Sequence, residues 1–288
     1  VEAGGTCNTA IGHAAGTAIT TGDKNTAVGA CALDANSTGS NNTAVGQLAL
    51  STNTTASDNT SVGRASLFAN TTGANNTAVG SSALNVNTTG ASNVAMGFEA
   101  LSANTTAANN TAVGTETLTA NTTGDKNTAL GTGALAANTT AGCNTAVGQA
   151  SLCTNTTGCL NTAVGRQALE VNLTGDNNTG LGYRALNANT SADNNTAVGF
   201  CSLAANTTGC RNVAVGSNAL IANTTGVQNE AIGYYAMCSN TEGGCNVAIG
   251  SALQSNTTGG QNVGIGFIAL SNNTTGGCNI AVGRSALQ

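Results

Sequence analysis

The main constraint on this 288-residue sequence is a short motif, Ala-Val-Gly or a close variant, that returns at a fixed interval. With the motif glycine as position 0, the repeat is 17 residues long throughout, except for one of 16 residues between Gly250 and Gly266. Such a unit is too short for a helix pair and suits one coil of a solenoid. The sequence therefore predicts an all-β fold, a parallel β-solenoid or β-roll of about seventeen coils, with residues 1–288 forming a single repeat domain.

Within each coil, Thr-Ala-Val-Gly reads as one short strand and the following Ala-Leu segment as a second. Position 16 is always aliphatic or Met, and position 4 is almost always Leu. Side chains alternate between the two faces of a strand, so positions 14 and 16 share a face. We expect that face to point inward, which places Val28, Val45, Leu33 and Leu50 in core columns.

Position 13 is asparagine in every coil. Buried turn backbone needs hydrogen-bond partners, and stacked side-chain amides supply them repeatedly. We expect a ladder of stacked amides, represented by Asn25, Asn42, Asn59 and Asn76.

Self-association follows from the composition. Aromatic residues are only 2% of the chain, and each repeat has about two large aliphatic side chains to bury. This is little apolar surface for seventeen ordered residues, so we expect a single column of coils to be only marginally stable. The face that carries positions 15 and 0 is small and uncharged. We expect another copy of the chain to pack there, as a homo-oligomer.

The Asn-Thr-Ala-Val-Gly cores, each followed by Ala-Leu and a glycine-containing turn, resemble the head repeats of trimeric autotransporter adhesins (YadA-like heads) and similar repeats of phage tail fibres. The resemblance covers the whole chain. It implies a left-handed parallel β-roll, association of three chains, and a surface that binds host matrix or cells. This sequence has longer repeats than that family, ten cysteines that the family lacks, and no stalk or membrane anchor.

The two ends of the sequence are in phase. Gln288 occupies position 5 of the repeat and Val1 occupies position 6, so two copies placed head to tail would continue it. We expect filaments with an intermolecular disulfide between Cys278 and Cys7; a segment cut from a longer array would show the same phase.

The remaining cysteines mostly bracket a turn within one coil: Cys153 with Cys159, Cys201 with Cys210, and Cys238 with Cys245. Disulfides indicate an oxidising, extracellular setting. The spacing leaves two alternatives open, a bond from Cys143 to Cys159 and reduced cysteines in the interior.

The Asn-Thr-Thr turns contain N-glycosylation acceptor triplets in fourteen coils. The functional interpretation is a glycan-coated fibre; the structural one is that Asn and Thr are good turn residues. The candidate sites are Asn36, Asn53, Asn70, Asn87, Asn104, Asn121, Asn138, Asn155, Asn172, Asn189, Asn206, Asn223, Asn256 and Asn273. A second set of triplets begins at position 12, at Asn41, Asn75, Asn109, Asn177 and Asn194.

Other function classes receive little support. The net charge of −5 disfavours nucleic acid, and no apolar run reaches membrane-spanning length. His13 is the only histidine, so no catalytic residues can be assigned, and we expect no enzyme, cofactor or metal. Asp176 and Asp193 suit Asx turns better than a calcium site. Ice binding requires outward-facing threonines, whereas position 14 is expected to face inward.

We therefore expect a structural protein at the cell surface or outside the cell, a subunit of a self-associating fibre or adhesin head. Its partners would be itself, covalent glycans and a host or surface receptor. The alternatives are a phage tail-fibre shaft with a receptor-binding surface and, less favoured, an ice-binding solenoid.

Overall fold

The computed structural model describes residues 5–288, whose backbone forms short strands joined by turns, with no helix. Each strand has three residues. They are β1 (Thr9–Ile11), β2 (Thr26–Val28), β3 (Thr43–Val45), β4 (Thr60–Val62), β5 (Thr77–Val79), β6 (Val94–Met96), β7 (Thr111–Val113), β8 (Thr128–Leu130), β9 (Thr145–Val147), β10 (Thr162–Val164), β11 (Thr179–Leu181), β12 (Thr196–Val198), β13 (Val213–Val215), β14 (Glu230–Ile232), β15 (Val247–Ile249), β16 (Val263–Ile265) and β17 (Ile280–Val282).

The chain divides into two compact units. The first ends at Cys143 and contains β1–β8, and the second, Asn144–Gln288, contains β9–β17. Within each unit, every strand pairs in parallel with the next strand along the chain. The register joins equivalent residues of successive repeats, such as Val28 and Val45. Each unit is therefore a parallel β-solenoid, which confirms the predicted fold class.

The strands begin and end where the residue types dictate. Thr and Val are β-branched and favour extended backbone, and the glycine that follows turns the chain out of the strand. Gly46 has a φ of +135°, a conformation that residues with a Cβ rarely adopt. A Cβ there would also lie 2.5 Å from the carbonyl oxygen of Gly63 in the next coil. Glycine at position 0 is thus required twice, by the turn and by the close stacking.

The predicted second strand is wrong, because the Ala-Leu segment is a turn. Cys31 and Leu33 both have left-handed backbone, with φ of 55° and 52°. This curls the chain so that the adjacent residues Ala32 and Leu33 are both fully buried, which an extended strand cannot do. The coils still stack here, since the Leu33 N–H donates to the carbonyl oxygen of Ala49 at 3.0 Å.

The core of each unit is thin and consists of an alanine column facing a leucine column. Ala27 and Ala44, at position 15 of the strands, are fully buried, as are Leu33 and Leu50 at position 4. The contact between the columns is visible at Gly180, where a Cβ would lie 3.4 Å from Cγ of Leu169. Left-handed leucine costs roughly 1–2 kcal/mol. Burying its side chain contributes roughly 1.5–3 kcal/mol, which outweighs the cost of the left-handed backbone.

Candidate functional surface

The outer face of the sheet is the most regular exposed surface of each unit. In every strand from β2 to β17 the middle residue is buried and the first and third are half-buried or exposed, whereas all three residues of β1 are exposed. The first residues form a threonine column, with Val, Ile or Glu in six coils, and the third residues form an aliphatic column. Met96 and Leu130 in the aliphatic column are 42% and 47% exposed. We call these two columns together the outer sheet face.

The predicted orientation of the strands is therefore reversed. Val28 and Val45 are neighbouring rungs of one ladder, but they lie half-buried on the outside, whereas Ala27 between the outward positions of β2 is fully buried. The predicted packing face with positions 15 and 0 is in turn the inner one. The interior between the strands and the Ala-Leu turns is narrow, and the position-4 leucines fill it. Only alanine or another small residue therefore fits on the inner side of the strand. The reversal also explains Glu230 at position 14, because it lies on the exposed side of β14.

The asparagines at position 13 stack as a ladder inside each unit. Asn42 accepts the backbone N–H of Asn59 with its Oδ1 at 3.1 Å and donates from Nδ2 to the carbonyl oxygen of Ala56 at 2.8 Å. Its own backbone N–H donates to Oδ1 of Asn25 at 2.9 Å. Asn76 repeats the pattern with Asn59 at 3.0 Å. One side chain therefore satisfies buried backbone groups of two successive coils.

The turn asparagines at position 7 form a second ladder, which the repeat pattern did not predict. Nδ2 of Asn53 donates to Oδ1 of Asn36 at 2.8 Å and to the carbonyl oxygen of Ala56 at 3.0 Å. Asn70 bonds in the same way to Asn53 and to Gly73. Both amide hydrogens are used, so the side chain closes its own turn and joins it to the preceding coil.

This ladder contradicts the predicted glycosylation of the turns in the folded protein. A glycan on Nδ2 would remove one of the two donated hydrogen bonds and would need space at a buried atom. The side chains are fully buried at Asn36, Asn53, Asn70, Asn87, Asn104, Asn121, Asn138, Asn155, Asn172, Asn189, Asn206, Asn223 and Asn256; Asn273, in the last coil, is half-buried and bonded to Asn256. The position-12 asparagines, such as Asn41 and Asn75, are exposed and are not affected by this argument.

The predicted disulfides within one coil are absent, because all ten cysteines, each in the described part of the chain, are free. Cys238 and Cys245 show why. Sγ of Cys238 contacts the carbonyl oxygen of Gln254 at 3.5 Å, while Sγ of Cys245 contacts Oε1 of Gln228 at 3.5 Å, so the two sulfurs lie in different columns.

The other predicted pairs, Cys153 with Cys159 and Cys201 with Cys210, are unbonded as well. Burial raises the pKa of Cys153, as does the nearby Glu170, and burial raises the pKa of Cys201 despite Arg184. A higher pKa lowers the thiolate fraction and slows oxidation. Cys7 and Cys278 are exposed, and their disulfide between copies stays a prediction.

The acidic residues at position 11 link coils through the backbone. Oδ1 of Asp193 accepts the N–H of Asp176 at 2.7 Å, and Oδ1 of Asp176 accepts the N–H of Cys159 at 2.6 Å. At Asp23 the equivalent bonds from the N–H and hydroxyl of Thr6 lower the pKa of the carboxyl group. Within residues 5–288 no cluster of three or more His, Cys, Asp or Glu could hold a metal ion.

Sequence comparisons add no assignment. No protein-family model matches the chain, and no curated protein is similar to it. Among the described residues, none belongs to an apolar helix of the length needed to span a bilayer.

Proposed function

We propose that the chain is a self-associating structural subunit of an extracellular fibre or adhesin head, and that copies pack through the outer sheet face. The observation that carries the proposal is the aliphatic column, which runs along each unit with half-buried or exposed side chains and no charged residue. Contiguous exposed apolar surface of this kind typically marks an interaction site. A second copy is the occupant with a matching repeat, because a flat column of the same spacing fits it rung by rung.

Two further considerations support this proposal. The repeat resembles the heads of trimeric surface adhesins, in which three such rolls associate. Covering one half-exposed aliphatic side chain contributes on the order of 1 kcal/mol, so the eight members in the first unit would together hold copies in place. Head-to-tail stacking belongs to the same proposal as a secondary feature, and so does glycan decoration at the exposed position-12 asparagines, such as Asn41 and Asn75.

The test introduces charge into the aliphatic column. We expect the wild-type protein to sediment as an oligomer and the double variant Val45→Lys with Val79→Lys to sediment as a monomer, because lysine ammonium groups cannot be buried in the interface without partners. Both valines are half-buried, so the fold should persist, as checked by circular dichroism.

The matched control is Thr55→Lys with Thr89→Lys, which adds the same charges at exposed positions of the turns. This control should remain oligomeric. A wild-type protein that is monomeric at all accessible concentrations, or an equal effect of both double variants, would rule out the outer sheet face as the interface.

Ice binding is a second candidate, since the structure removes the objection to it. The threonine column faces outward beside the aliphatic column, so hydroxyl and methyl groups recur at about 4.8 Å along each unit and about 6.7 Å across it. Glu230 interrupts the array in the second unit, but the array of the first unit is uncharged, and a two-dimensional array of this kind can order water. The same face would then contact an ice surface and not another copy.

This candidate predicts measurable thermal hysteresis and faceted ice crystals for the monomeric protein. Thr43→Tyr with Thr77→Tyr should abolish the hysteresis, because bulky rings break the flat array, while Thr55→Tyr in the turn should leave it unchanged. Absence of hysteresis in the wild-type monomer would exclude ice binding and leave the self-association proposal untouched.

A further inference from the structure

The few aromatic residues of the chain are concentrated at one position of the repeat. Five of the seven occupy position 1, directly after the motif glycine, and no acidic residue occurs there in any coil. In the second unit this position carries Arg166, Tyr183, Phe200, Tyr234, Phe267 and Arg284 in chain order. All six are exposed. We call them the aromatic column.

The first half of the column is a continuous stack. The guanidinium carbon of Arg166 lies over the Tyr183 ring at 5.9 Å, and Tyr183 stacks on Phe200 with centroids 5.4 Å apart and planes at 18°. Arg166 also donates from Nε to Oε1 of Gln149 at 3.1 Å, which fixes its orientation. One face of Phe200 is thus covered by Tyr183, and the next residue of the same position along the chain is Ser217.

The second half has serine at two positions of the column, and we call the space at each serine a notch; the Tyr234 ring between them packs edge-on against Tyr235, with centroids 4.5 Å apart. Serine separates successive rings at Ser217, between Phe200 and Tyr234, and at Ser251, between Tyr234 and Phe267. Rings two coils apart are separated by about 9.6 Å, since each coil advances about 4.8 Å. A sugar ring packed between two aromatic faces needs roughly 7–8 Å at van der Waals contact, so it fits.

Arginine closes the column at both ends. Arg284 lies over the Phe267 ring at 5.8 Å, as Arg166 lies over Tyr183. A guanidinium group held over a ring keeps donors free for a carboxylate and binds it in bidentate fashion. The column is therefore a basic, aromatic stripe on a chain whose net charge is −5.

We propose that the aromatic column binds an acidic polysaccharide, with sugar rings packed in the notches beside Phe200 and Phe267 and carboxylates paired with Arg166 and Arg284. The apolar CH faces of sugar rings pack well on aromatic rings. The small number of cations favours this ligand over a nucleic acid. The column carries two arginines over seven coil steps, about 34 Å, so neutralisation of a phosphate backbone, which dominates affinity for nucleic acid, would be small, whereas packing of sugar rings on aromatic faces does not depend on charge.

Polygalacturonate is a suitable probe, with its fully methyl-esterified form as the neutral control polymer. We expect calorimetric binding to polygalacturonate that weakens with added salt, and much weaker binding to the ester. Phe200→Ala with Phe267→Ala should reduce the affinity roughly tenfold or more, because both notches lose a wall. Arg166→Gln with Arg284→Gln should remove the preference for the acid over the ester.

The matched control is Phe98→Ala, which removes an aromatic ring, 48% exposed, from the same position of the first unit, between Ser81 and Thr115. It should bind like the wild type. Equal binding of both polymers, equal loss in the Phe98 control, or tighter binding of oligothymidylate would overturn the proposal. So would a change of oligomeric state in the Phe200/Phe267 variant, since the column would then be an interface between copies. Self-association is tested at different positions in the first unit, so the two proposals can fail separately.

Discussion

Gly46→Ala is expected to destabilise the first unit by at least about 4 kcal/mol, an exceptionally large loss for a single substitution. Two costs combine. The φ of +135° is close to glycine-only and costs up to about 3 kcal/mol for alanine. In addition, the new Cβ would lie 2.5 Å from the carbonyl oxygen and 2.7 Å from the carbonyl carbon of Gly63. Both are backbone atoms, so no rotamer change can relieve the clash. Urea unfolding followed by circular dichroism measures the loss.

Two other glycines separate these costs. Gly283 has nearly the same φ, +125°, but a Cβ there would meet nothing within 4 Å. Gly133 has a φ of +66°, which alanine adopts at roughly 1–2 kcal/mol, and its Cβ would also be free. The expected order of destabilisation is Gly46→Ala, then Gly283→Ala, then Gly133→Ala. Measured on the monomeric protein, equal effects at Gly46 and Gly283 would mean that the coils do not stack as closely as the structure has them.

Asn42→Ala is expected to destabilise the first unit by about 2–4 kcal/mol, because it removes a rung of the position-13 ladder. The buried N–H of Asn59 loses its acceptor, and the carbonyl oxygen of Ala56 loses one of its two donors. An unpaired buried backbone group costs roughly 1–3 kcal/mol, and the lost second bond adds to it. Urea unfolding gives the overall loss.

Native-state hydrogen exchange makes this prediction specific, because the amide of Asn59 should lose protection before amides in distant coils. Asn272→Ala is the control: it deletes an identical side chain at an exposed position and should change stability by less than about 0.5 kcal/mol. Unchanged exchange at Asn59 would show that Oδ1 of Asn42 does not bond to it.

The period of the repeat was sufficient to predict the solenoid, but hydrophobicity misled the assignment of its two faces. Alternation separates positions 14 and 16 from position 15 without saying which set is inside. Valine is more hydrophobic than alanine, so Val28 was expected inside. The narrow interior of the solenoid excludes valine at this point, because the position-4 leucines of the facing turn fill the space between the two columns. The range of residue types at each position indicates the orientation: position 15 contains only small residues, whereas position 14 includes Glu230, which would not be buried without a partner.

The second ladder was also detectable in principle. At Asn240 the acceptor triplet is broken by Glu242, yet the asparagine remains. In the structure Nδ2 of Asn240 donates to Asn223 and Gly243 as in the other coils. The left-handed leucines, by contrast, carry no such clue, because leucine rarely adopts that backbone and only the closure of a 17-residue coil imposes it.

The in-register pairing of equivalent residues has a consequence for how such a chain can change in length. Because Val28 meets Val45 in the way that every other rung meets its neighbour, excising or duplicating a whole repeat re-creates the same contacts at the new joint. The chain can therefore gain or lose whole repeats without a mismatched joint, while its stability changes by the contribution of each repeat added or removed. Individual coils differ only at the positions that vary between repeats, such as position 1 with the rings of the aromatic column.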